Sequence, residues 1–174
     1  MPIDPKIEQP TRTMLGHAMR HELEDLAALI AAEGNETVLG AIDLCVLASG
    51  YIAIDVSGMR WPTEPVLRKI AHNASDAATE LDLAESDIYE YLSRVVLGSE
   101  KLDDVFAMPK AGMLPLLITA NLLATFRPQE KHWWEYLDQI WDAAETADRT
   151  SLTVLPALML RARKHPTSQA DATS

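Results

Sequence analysis

A chain of 174 residues with 48% hydrophobic and 24% charged residues can bury one sizeable core, and its composition excludes wholesale disorder. Its formal net charge of −11 repels phosphate backbones and disfavours nucleic acid as a partner. A single cysteine, Cys45, excludes an intrachain disulfide and fits a reducing, cytoplasmic setting.

Residues 1–11 are proline-rich and polar and read as a flexible N-terminal arm, with no basic-then-apolar leader. From Thr13 to Ala32 the residues Leu15, Met19, Leu23, Leu26, Leu29 and Ile30 share one side of a helical wheel. Gly34 interrupts that helix, and Asn35 is a good cap for the next. The next helix, about 36–55, is apolar nearly all round. Its core run Val38–Ile54 carries Asp43, Ser49 and two glycines, so it reads as a buried helix and not a membrane span.

Helices over 64–81 and 83–97 follow, each with an apolar stripe, and Asp82 with Glu85 has the spacing of a capping box. A short helical turn is expected at 102–106. The segment 113–126 is the second largely apolar helix. Residues 129–149 form an amphipathic helix and 152–164 a last helix with a basic end, before a flexible tail at 166–174. No strand pattern or repeat appears. The expectation is an all-α, single-domain bundle of six to eight helices over 12–165, centred on 36–55 and 113–126.

Residues 77–92 resemble a helix-turn-helix unit, with small residues at Ala77 and Ala78, Leu81, and packing positions at Ile88, Tyr89 and Leu92. The helix that would enter a groove presents Glu85, Asp87 and Glu90, where DNA readers carry basic or amide groups. Between Asp76 and Asp104 there are nine acids and only two bases. These carboxylates suit a basic protein partner instead, and Trp134 and Tyr136, at the margins of an aromatic stripe, are further contact candidates.

Asp43, beside Ser49, and Asn121, beside Thr119, are polar exceptions in the two apolar helices. A carboxylate in an apolar run must be paired, hydrogen-bonded or protonated, and facing Asn121 it would make the polar end of a ligand pocket. His17, His21 and Asp25, at helical spacing, form a possible metal set on the polar face. Against them stand an internal salt bridge for Asp43 and a solvated face for the histidines. No phosphate loop, nucleophile elbow or cofactor motif occurs. The reading is therefore a non-enzymatic helical protein working through protein contacts or self-association, with no membrane and no cofactor. The alternatives are a small-molecule-binding domain or enzyme at Asp43 and Asn121, and a metal protein at His17, His21 and Asp25.

Overall fold

A computed structural model describes residues 3–77, 80–97 and 110–148. These fold as a helical bundle of seven helices, with no strand among the described residues: α1 (Pro5–Met19), α2 (Leu23–Ala32), α3 (Asn35–Val56), α4 (Glu64–Ala77), α5 (Glu85–Leu97), α6 (Lys110–Phe126) and α7 (Trp133–Asp148). The helices expected at 102–106 and 152–164 and the tail at 166–174 lie outside the described residues.

The supposed arm is largely helix. Asp4 starts it, its Oδ1 accepting the Lys6 N–H at 2.9 Å, and Pro5 supplies a φ already suited to the first turn. Pro10 lies inside the helix and forfeits one backbone bond. Burial of Thr11, Met14, Leu15 and Ala18 against the bundle outweighs that loss, since burying one large apolar side chain contributes about 1.5–3 kcal/mol.

The single helix expected over 13–32 is two. His17 and Ala18 end α1 by accepting the amides of Glu22 and His21 at 3.0 and 3.1 Å, and His21 takes the left-handed φ of 58°. This is the glycine-type stop with a histidine in the glycine position, which is why no Gly or Pro marked it. The same motif closes α3, where Gly58 sits at φ 69° and the Met59 amide returns to the Ile54 carbonyl at 2.9 Å. Met59 is also left-handed, at φ 59°.

Helices α3 and α6 form the centre, as expected, and α6 is the more deeply buried of the two. It packs on α1, α3, α4 and α7, and Leu116, Ile118, Leu122 and Leu123 are fully buried. Helix α3 also touches four helices but is only half inside: Cys45, Ala48, Ser49 and Ile52 face α6 while Leu39 remains 62% exposed.

Where the cores of α3, α5 and α6 meet, three buried hydroxyls form a line. Ser49 Oγ lies 2.9 Å from Thr119 Oγ1 and 3.3 Å from the Tyr91 hydroxyl, and Thr119 donates to the Cys45 carbonyl at 3.2 Å. Each hydroxyl owns one proton. With Thr119 committed to Cys45, Ser49 donates to Thr119 and Tyr91 to Ser49, so every member is satisfied.

Close approach fixes the α1–α3 crossing. A Cβ on Gly40 would stand 2.7 Å from both Cδ1 and Cγ2 of Ile7. Helix α7 closes the bundle antiparallel to α1. Arg12 pairs with Asp138, and the Ile3 amide donates to Glu145 at 2.9 Å.

Candidate functional site

Helix α3 places Asp43 on its outer side, about 180° round the wheel from the core residue Ile52, and the side chain is exposed. Partial burial against its apolar neighbours raises the Asp43 pKa from the ordinary aspartate value. Asn121 is buried on α6, and both ends of its amide are hydrogen-bonded. Its Nδ2 donates to the Ala74 carbonyl at 2.7 Å and its Oδ1 accepts from Thr125 at 3.2 Å. Asn121 thus ties α6 to the C-terminal part of α4. The expected pocket between Asp43 and Asn121 does not form. Asn121 instead lines a small cleft of about 90 Å³ with Met19, His21 and Leu81.

The break between α1 and α2 dissolves the His17, His21 and Asp25 set. His21 turns toward Glu80, 3.4 Å away, while Glu22 moves in beside His17 at 2.7 Å from Nδ1. His17, Glu22 and Asp25 then bring one ligand atom each within 4.8 Å. Arg20 already occupies that cluster, 2.9 Å from Glu22. Its hydrogen bond, then that of His17, holds the Glu22 carboxyl down at about 2. A divalent ion would have to displace a guanidinium, so the geometry is that of an ion-paired corner.

The acidic residues on α5 are partly answered. Glu85 meets His72 Nδ1 at 3.1 Å, and Glu90 lies 3.3 Å from Arg94. The bond from Glu85, with Asp76 beside it, raises the His72 pKa above the usual histidine value. The capping box of Asp82 with Glu85 is absent: Asp82 is left-handed at φ 49°, and α5 starts only at Glu85. The described non-helical residues before α5, 80–84, already exceed the three to four residues of a helix-turn-helix corner. A groove of about 560 Å³ between them holds Arg68, Arg94, Glu85, Glu90 and Tyr89. Arg68 pairs with Glu64 and lies over the Tyr89 ring, so this groove is electrostatically self-contained.

Of the aromatic candidates, Trp134 is 44% exposed and stacks on His132 at 4.2 Å. Tyr136 is buried and cannot meet a partner. Its hydroxyl donates to Asp55 at 2.6 Å, joining α7 to the end of α3. Position at the edge of an amphipathic stripe did not separate the two, because α3 covers one margin of α7 and leaves the other open.

Two features escaped the sequence. One is the outer stripe of α3, where Leu39, Ile42, Asp43 and Val46 follow helical spacing and Leu39 stands 62% exposed. The other is a crevice of about 490 Å³ beside the α3–α4 connection, lined by Arg60, Trp61, Lys69, Asn73 and Phe126 among others. The signal for the first was present but unread: from His21 to Met59 there are seven acids and no Lys or Arg.

Cys45 is no site. Burial pushes its thiol up to about 12, which leaves almost no thiolate at neutral pH. Native protein is expected to release no chromophore from a disulfide thiol reagent over hours, with reaction appearing only as denaturant unfolds the chain.

No protein family, curated protein or solved structure matches this chain.

Proposed function

We propose that this protein is a non-enzymatic helical adaptor whose partner presents an amphipathic helix with an apolar ridge and basic flanks to the outer face of α3. The observation that supports this reading is Leu39, 62% exposed on the longest apolar helix. With Ile42 and Val46 it forms a ridge of the spacing that helix-in-groove partners use. Glu36 and Asp43 flank it, and the whole span 21–59 lacks a Lys or Arg. Two copies of such a face would bring like charges together, so the reading favours a basic partner over self-association. On α5, Glu85 and Glu90 are met by His72 and Arg94, so those acids are less available to a basic partner than the α3 face.

Helix α3 is also long and apolar enough to cross a membrane, with half of its most apolar window buried inside the bundle. Buried Ser49 and its bonds to α5 and α6 tie that helix to the bundle.

Fluorescence anisotropy with a labelled Leu/Lys amphipathic peptide, its Leu/Glu counterpart and Leu39→Lys protein tests the reading. The Leu/Lys peptide is expected to bind with Kd of about 10 µM or tighter, weakened tenfold or more by Leu39→Lys. Equal binding of both peptides, or indifference to Leu39→Lys, would refute it. Adding neutral lipid vesicles separates a lipid-seeking face, which would float the wild type and not the variant.

A further inference from the structure

We propose that the crevice between the α3–α4 connection, α4 and the end of α6 is a binding site for a small organic anion that carries a flat, apolar ring. This goes beyond the adaptor reading and uses a different part of the molecule.

The charge pattern is the first ground. In a chain of net charge −11, the lining of this crevice includes Arg60 and Lys69 and no Asp or Glu. Neither cation forms a salt bridge among the described residues. Elsewhere the guanidinium groups of Arg12, Arg20, Arg68 and Arg94 each meet a carboxylate. Two uncommitted cations at one mouth are a place for an anionic head group, to which each hydrogen bond is charge-assisted.

The remaining lining supplies the second ground. Trp61, Phe126, Val66 and Ile70 offer aromatic and aliphatic surface, and Asn73 offers an amide. Five of the ten lining residues are apolar, and Ser57 and Thr63 join Asn73 and the two cations as the polar half; at about 490 Å³ such a mixed wall has room for a ring on one side and a charged head group on the other. A bare inorganic ion would use the cations and leave the rings idle.

The backbone gives a third, independent ground. Gly58 and Met59, both left-handed, reverse the chain after α3 and deliver Arg60 and Trp61 to the crevice. A methionine held at φ 59° costs on the order of 1 kcal/mol, and strain of this kind gathers at ligand sites.

Calorimetric titration with 2-naphthoate, phenyl phosphate, the neutral 2-naphthylmethanol and inorganic phosphate tests the site. Both ring-bearing anions are expected to bind at or below about 1 mM, tenfold or more tighter than the alcohol and than inorganic phosphate. Whichever of the two binds better identifies the head group. The double variant Arg60→Gln/Lys69→Gln should lose about tenfold for the anions and nothing for the alcohol. Both side chains are exposed, so the variant should keep the wild-type circular dichroism and melting curve. Like affinities for naphthoate and the alcohol, no effect of the double variant, or no binding of either ring-bearing anion would overturn the proposal.

Discussion

Replacing Gly40 with alanine should destabilise the protein by about 1–3 kcal/mol, even though alanine is the better helix former. Propensity alone would favour alanine by roughly 1 kcal/mol in mid-helix. Contact decides the sign. The new methyl would sit 2.7 Å from two carbons of Ile7, well inside the ~3.5–4.0 Å at which carbon atoms attract. A turn of χ2 moves Cδ1 alone, and Cγ2 moves only with χ1, which a β-branched residue in a helix holds in one strongly preferred rotamer. The two helices must separate, loosening the α1–α3 contact. In an Ile7→Ala background the obstruction is gone, and the same Gly40→Ala change should become neutral or stabilising. Urea melts of the four proteins give the comparison; destabilisation of equal size in both backgrounds would show that the crossing is not set by this contact.

Thr119→Val is expected to cost about 1–3 kcal/mol, although it keeps side-chain shape and adds apolar character. The hydroxyl removed is the last of a linear chain of donors that runs from Tyr91 through Ser49 and Thr119 to the Cys45 carbonyl. Without it, the Ser49 proton loses its acceptor and the Cys45 carbonyl loses one donor, both where water does not reach. Ser49→Ala breaks the same chain one step earlier, leaving the Tyr91 hydroxyl without its acceptor. The double variant should cost clearly less than the two single losses added, because residues in one network are not independent. Strict additivity in chemical denaturation would mean that the hydroxyls act separately.

Most of the helical frame was legible in the amino-acid pattern. The two apolar helices expected at 36–55 and 113–126 are Asn35–Val56 and the greater part of Lys110–Phe126, since long apolar runs bounded by Gly, Pro and polar caps leave little choice. What failed was local punctuation under tertiary pressure. Prolines at 5 and 10 suggested a loose arm, yet one suits a first turn and the other is tolerated because α1 buries Met14 and Leu15. His21 ended a helix with no residue type that announces an ending.

The candidate sites were much less legible, because wheel position says which residues share a face and not what lies opposite. Asp43 and Asn121 each interrupt an apolar helix, yet they serve different neighbourhoods. Tyr136 and Trp134 looked equivalent until α3 covered one of them. Arg60 and Lys69 are nine positions apart across a turn and the start of a helix, so no periodicity links them. Only the fold brings them to one opening.

The way α7 returns to α1 has a kinetic consequence. Helical proteins commonly fold fast because their contacts are local. Here α4 and α5 can meet early, but Ser49 must find Thr119 across 70 residues, and Ile3 must find Glu145 across 142. Such contacts require large loops to close before they contribute. Assembly should therefore finish with the clamp of the last described helix over the first. Until α7 docks on α3 and α6 as well, its apolar flank, with Tyr136 and Trp141, remains open to water. The most vulnerable moment of this chain is then late in folding, when it already has its helices but not yet its seal.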